Sequence, residues 1–287
     1  MPYITVRDIP HYYEWVVAES EPQNKPVMVF LHGWGGSARY WQSTAEALSP
    51  YFNCLLYDLR GFGRSQPPDP PTQISPQDCQ TQFAIETYAD DLAQLLQALK
   101  LGPVFINAHS TGSSMALFFL NRYPELAQKA ILTCHGIFEY EAKSFSQFHQ
   151  FGTYVVQFRP KWLYRLPGVD RLFMARFLHQ PIPSAERKAF LEDFLMADYG
   201  AALGTMFSAV SEQASITMPQ EFVKLKVPTL MVSGEYDQII PAAMGQKAAD
   251  LSDNVEFSVI PNTGHFPMLE DSERYLRRVS QFLELSE

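Results

Sequence analysis

Val104-Phe105-Ile106-Asn107-Ala108-His109-Ser110-Thr111-Gly112-Ser113-Ser114-Met115 is the stretch on which the reading of this chain turns. It opens with an apolar run, Val104 to Ile106, of the kind that buried strands carry. Small residues follow, and Met115-Ala116-Leu117-Phe118-Phe119-Leu120 predicts a packed helix. Ser110 falls at the junction, where the N–H groups of a helix start favour negative charge. A tight turn leaves little room there, and the residues two positions either side, Ala108 and Gly112, are small. A serine so placed has two readings. It caps the helix, or a strand–turn–helix bend pushes it out of the sheet as a nucleophile, with alanine at the first glycine of G-x-S-x-G.

Outward from this stretch, apolar runs alternate with helical patterns. Tyr3 to Val6 and Tyr12 to Val17 predict an antiparallel hairpin joined through Asp8-Ile9-Pro10. Val27 to Leu31, Cys54 to Tyr57, Ala130 to Cys134, Thr229 to Ser233 and Val255 to Ile260 are apolar throughout, as strands covered on both faces are. Helices are expected over Tyr40 to Leu48, Thr87 to Leu101, Ala242 to Asp250 and Ser272 to Leu285. Gln66 to Gln82, with five prolines, reads as a loop. The predicted fold is α/β: a mostly parallel, eight-stranded sheet with helices on both faces. From Phe138 to Val223 the alternation breaks into helical patches separated by prolines. Residues 137–223 are therefore expected to be a helical cap inserted between core segments 1–136 and 224–287.

Composition narrows the function classes. With 287 residues, 46% hydrophobic and 18% charged, the chain is a folded globular protein. A net charge of −9 argues against nucleic acid as a partner. Met1 to Val17 has a strand pattern, not that of a signal peptide, and no run approaches the roughly 18 apolar residues of a membrane span. Cys54, Cys79 and Cys134 lack regular spacing; Cys54 and Cys134 lie in apolar runs, consistent with reduced core thiols and a cytoplasmic location.

Two more strand exits carry ionisable groups, Ser233-Gly234-Glu235-Tyr236-Asp237 through Pro241, and Pro261-Asn262-Thr263-Gly264-His265-Phe266. Ligands bind at the carboxyl ends of strands in open parallel sheets, so Ser110, Asp237 and His265 can converge. Their chemistry is complementary: imidazole takes the serine proton near pH 7, and a carboxylate fixes its tautomer. The glycine-rich exit His32-Gly33-Trp34-Gly35-Gly36-Ser37 lacks both G-x-G-x-x-G spacing and a P-loop lysine. Its other use is to aim backbone N–H groups at a developing oxyanion.

With these motifs in this order, the chain resembles the α/β-hydrolase fold superfamily, as a capped serine hydrolase of esterase or lipase type. His32-Gly33-Trp34, Asp58 to Ser65, Ala108 to Gly112, Gly234 to Pro241 and Gly264-His265 carry the resemblance. It implies Ser110 as nucleophile, His265 as general base then acid, and Asp237 as its orienting carboxylate. It also implies an oxyanion hole from the N–H groups of Trp34 and Thr111. The departures are Ala108 for glycine and Ser113-Ser114, expected to pack inside the helix. Asp58 and Arg60 are expected to be structural, and Glu235 a spare carboxylate. His109 is expected to point into the structure. His135 lines the pocket or packs in the core, and Phe138 and Phe266 are further pocket candidates. His11, His149 and His179 show no ligand spacing, so neither a metal nor a cofactor is expected.

Inside the cap, Phe145, Phe148, Phe151 and Tyr154 recur every three residues. At about 100° per residue they span about half a helix circumference, wider than one buried stripe needs. They pack against other cap helices, or part of this surface lines an apolar channel or meets lipid. Arg159, Lys161, Arg165, Arg171 and Arg176 surround them, with Asp170 the only acid between Phe145 and Phe177. That composition suits an interfacial segment. The expected partner is thus a small-molecule apolar ester, with peripheral membrane contact by the cap. Two rival readings stand beside it. One is a C–C bond hydrolase or lyase acting on a small acidic metabolite, with Arg159 or Arg165 facing its carboxylate; the other is a non-turnover ligand sensor. Epoxide and haloalkane chemistry on this fold uses an aspartate where this chain has Ser110. Oligomeric state is not encoded legibly.

Overall fold

The computed structural model describes residues 2–18, 25–67 and 82–285. Cys79 and nearly all of the proline-rich loop lie outside the described residues. Eight strands form one sheet: β1 (Tyr3–Val6), β2 (Ile9–Val16), β3 (Val27–Leu31), β4 (Asn53–Tyr57), β5 (Val104–His109), β6 (Ala127–Thr133), β7 (Thr229–Gly234) and β8 (Val255–Ile260). Their spatial order is β1-β2-β4-β3-β5-β6-β7-β8. β1 and β2 run antiparallel, and every pair from β4 onward is parallel. The hairpin turn is Arg7-Asp8, both at positive φ, and not Asp8-Ile9-Pro10. Two residues at φ > 0 form the tight turn whose twist matches the flanking strands, which leaves Ile9 and Pro10 paired with Val6 and Thr5.

Alternate residues of β3 enter opposite cores. Val29 and Leu31 join one apolar cluster, Met28 and Phe30 the other. Both faces are therefore dry, which is why the strands are apolar throughout. α1 (Gln42–Leu48), preceded by a 3₁₀ turn over Ala38–Trp41, lies on the Phe30 face with the C-terminal helix. α2 (Ile85–Ala98) and α3 (Thr111–Arg122) lie on the other. Five helices stand between β6 and β7: α4 (Ala142–Gln157), α5 (Val169–Met174), α6 (Ser184–Met196), α7 (Tyr199–Ala209) and α8 (Glu212–Lys224). Met218 and Phe222 of α8 are buried in the larger core cluster. α9 (Ala242–Ala249), α10 (Pro267–Glu270) and α11 (Ser272–Leu283) complete the chain. Among the described residues no helix is long and apolar enough to cross a membrane.

Polar contacts join the helices between β6 and β7 to the loops at the strand ends. Asp193 of α6 accepts from Ser37 Oγ at 2.6 Å and pairs with the Arg39 guanidinium. Asp58 accepts from Ala38 N and twice from the Arg64 guanidinium, while Arg60 grips Asp91 at 2.6 and 2.7 Å. Both Asp58 and Arg60 are structural, as expected: burial opposes charge on Asp58, but Arg64 still holds its carboxyl below the usual range.

Candidate active site

Ser110 ends β5 and begins α3 at φ 52°, ψ −123°, a conformation strained for any side-chain-bearing residue. Its N–H donates to the Thr133 carbonyl at 2.8 Å, so the neighbouring strand pins the bend. Ser113 and Ser114 are buried in α3. Close approach decides Gly112: a Cβ there would stand 2.4 Å from the His32 carbonyl oxygen. Ala108 is fully buried without strain, so alanine suffices where a glycine is common.

The three candidates converge. His265 Nε2 lies 3.0 Å from Ser110 Oγ, and its Nδ1 lies 2.7 Å from Asp237 Oδ2. Asp237 Oδ1 accepts from the N–H groups of Ile239 and Ile240 at 2.8 and 3.0 Å. Burial works against charge on Asp237, but His265 and these two donors hold its carboxyl below its ordinary pKa. An ionised carboxylate only accepts, so Nδ1 carries the proton and Nε2 is left to accept from Ser110. That is the protonation pattern an activated serine requires. His109, Cys134 and His265 place potential metal-ligating atoms within 4.8 Å of one another. Each ring nitrogen of both histidines already has a hydrogen-bond partner. Burial also pushes the Cys134 thiol well above its ordinary pKa. The cluster is poorly suited to a cation.

His109 does point inward. Its Nε2 lies 2.7 Å from the His265 carbonyl, which can only accept. Burial holds the ring neutral, so its Nδ1 accepts from Tyr40 Oη at 2.9 Å. Tyr40 in turn accepts from Gly33 N–H at 2.5 Å. One chain of bonds thus links the glycine loop to the backbone of the histidine. Gly33 sits against Ser110, which brings the loop with Trp34 beside that serine. Thr111 N–H, at the first position of α3, has no carbonyl four residues back within the helix. The Trp34 indole donates to the Ala202 carbonyl of α7 at 2.8 Å, tying the same loop to the inserted helices.

Two residues not singled out by sequence organise the site. Tyr40 is one. Glu270 is the other: its carboxylate accepts from Gly264 and Phe266 N–H at 3.0 Å, and from His179 and Gln180 N–H at 2.7 Å. It therefore binds the histidine loop to the segment around residues 179–180 ahead of α6. The Phe177 carbonyl reinforces the join by accepting from His265 N–H at 2.7 Å, so close that a Cβ on Gly264 would stand 2.6 Å from it. An acid one turn beyond a Phe-Pro step is the sequence trace of Glu270, but it does not tell which donors it meets.

The remaining candidates fall elsewhere. His135 is buried against Phe222, with its pKa lowered by burial to about 4. Phe266 is buried against Tyr40, His109, Phe177 and Phe190, a wall behind the histidine. Phe138 is half-buried in the loop before α4. Glu235 Oε2 accepts from Asn262 N–H. Arg159 donates to the carbonyls of Val156 and Phe194, and Arg165 is exposed.

The profile of the alpha/beta hydrolase fold family matches residues 26–272. The non-heme chloroperoxidase CPO-A1 of Kitasatospora aureofaciens is 26% identical, over 99% of each chain. Epoxide hydrolase 3 of Mus musculus is 25% identical, over 85% of this chain and 66% of its own. Among solved structures, an esterase from Exiguobacterium antarcticum superposes with a TM-score of 0.78 at 19% identity, covering 99% of each chain. Activities named for these relatives differ, so what they share with this chain is the fold.

Proposed function

The chain belongs to the alpha/beta hydrolase fold family, and from that premise we propose that it is a serine hydrolase cleaving carboxylic esters with a long or apolar acyl group. The hydrogen-bonded sequence Ser110–His265–Asp237, at 3.0 and 2.7 Å, carries this reading. Ser110 Oγ attacks the ester carbonyl carbon as its proton passes to His265 Nε2. Asp237 stabilises the imidazolium without taking the proton. The Thr111 and Trp34 N–H groups receive the carbonyl oxygen as it becomes an oxyanion; one such donor is typically worth roughly 2.7–4 kcal/mol. The alcohol departs with the proton from His265. Water, deprotonated by the same imidazole, then releases the acid and restores Ser110.

An apolar acyl group is supported by a groove of about 350 Å³ lined by Tyr154, Val155, Phe158, Leu163, Val169 and Phe173. Phe194 also lines it, and its ring packs 5.4 Å from that of Trp34. The rival reading, a small acidic metabolite, needs a cation facing its carboxylate. Arg159 is engaged with backbone carbonyls instead.

The test is covalent labelling by a fluorophosphonate, on wild type and Ser110→Ala, with the adduct located by mass spectrometry. Labelling at Ser110 that vanishes in the variant is expected, followed by a preference for longer chains across a p-nitrophenyl ester series. Folded wild-type protein that takes no label would sink the hydrolase reading in favour of a ligand sensor.

A further inference from the structure

α4 is amphipathic the wrong way round for a surface helix. Its buried residues are Gly152 and Val156, with Gly152 seated against the Met206 thioether of α7. Phe151 and Tyr154, on the opposite side, are 64% and 71% exposed, and Phe158 just past the helix end is 70% exposed. The next segments continue the pattern with Trp162, Tyr164, Leu166 and Leu172, all exposed. Water disfavours so many exposed large apolar side chains, and concentrations of them mark contact sites.

Charge identifies what the surface meets. Lys161, Arg165, Arg171 and Arg176 are exposed among these side chains, and among the described residues none of them is in an ion pair. The one acid of the segment, Asp170, is buried and paired with Arg187 at 2.9 Å. The chain as a whole carries a net charge of −9, so this is a basic, aromatic face on an acidic protein. A second copy docking through the same face would bring like charges together across it. An anionic lipid surface supplies what both halves of the face need: hydrocarbon for Phe151, Trp162 and Leu172, and phosphates for the cations.

We propose that the face formed by α4, the turn over Lys161–Arg165 and α5 docks onto anionic membrane surfaces. Tyr154 and Phe158 belong both to this face and to the groove that Phe194 also lines, so docking sets the groove against the acyl-chain region. That last link rests on the ester-hydrolase reading; the docking itself involves no turnover, so the two can fail separately.

The experiment is co-sedimentation with vesicles of phosphatidylcholine alone and of phosphatidylcholine with phosphatidylglycerol, at low and high salt. Wild type should pellet at least tenfold more with the anionic vesicles and be released as salt rises. Phe151→Asp combined with Leu172→Asp should lose binding, as should Lys161→Glu combined with Arg171→Glu, with melting temperatures near wild type showing that both fold. Wild type that stays in the supernatant at low salt overturns the proposal. So does light scattering that finds a dimer which the Phe151→Asp, Leu172→Asp variant dissociates, because the face is then covered by a second copy.

Discussion

The backbone carbonyl of His265 accepts a hydrogen bond from Nε2 of His109 at 2.7 Å, so the residue before Ser110 holds the histidine that faces its hydroxyl. This bond fixes the neutral tautomer of His109 and leaves its Nδ1 for Tyr40. Tyr40→Phe removes the hydroxyl and strands two buried groups, Nδ1 of His109 and the N–H of Gly33. A loss of about 2–4 kcal/mol is expected by urea denaturation. The turnover number should fall more than KM changes, because the glycine loop and the histidine lose their tie. Unchanged stability would mean the chain of bonds is not formed.

Ser110 is held at φ 52°, which costs roughly 1–3 kcal/mol for a residue with a Cβ. Ser110→Ala keeps that strain and Ser110→Gly relieves it. Against this, glycine adds about 0.4–1 kcal/mol of unfolded-state entropy. Both variants should be inactive, with the glycine variant about 1 kcal/mol the more stable in chemical denaturation. The reverse order of stability would contradict the strained bend.

Glu270 gathers four backbone donors from two segments. Glu270→Gln removes the charge and turns one acceptor into a donor facing other donors. A loss of about 2–3 kcal/mol is expected, since bonds to charged groups are each worth about 1.5–3 kcal/mol. Susceptibility to limited proteolysis should rise around residues 177–182, where the segment is released. A protected segment would show that it is held by other means.

Acid should destabilise the fold through its buried histidines. Burial holds His32 and His135 neutral down to about 4, against an ordinary value near 6.5. His109 is lowered by burial as well. Between pH 6.5 and 4 these rings take up protons in the unfolded chain but not in the native protein. Asp193, whose carboxyl burial raises to about 6, works in the opposite sense but is one group against two, so stability falls as pH falls. Each of the two contributes on the order of 3 kcal/mol across that interval. The urea midpoint should drop clearly from pH 7 to pH 5; a flat profile would show these rings to be solvated.

Much was legible in the sequence because it is local. Continuous apolar runs place the strands wherever both faces of a sheet are covered, and small residues at Ala108 and Gly112 mark the bend at Ser110. Ser110, Asp237 and His265 each follow a strand, and parallel strands carry their ends to one edge, so their convergence could be anticipated from order alone. The turn at Arg7-Asp8 was not legible, because Arg7 is not a habitual bearer of positive φ and no glycine accompanies Asp8.

What only the tertiary structure decided is which neighbours a side chain meets. The spacing of Phe145, Phe148, Phe151 and Tyr154 states that aromatics ring a helix, but not which way the helix is turned. Contact between Gly152 and Met206 turns it, and leaves Phe151 and Tyr154 in water. Tyr40 and Glu270 are ordinary residues in the sequence, because a hydrogen bond to a group tens or hundreds of positions away leaves no periodic trace. Periodicity reports that a face is apolar; only long-range packing decides what that face is turned toward.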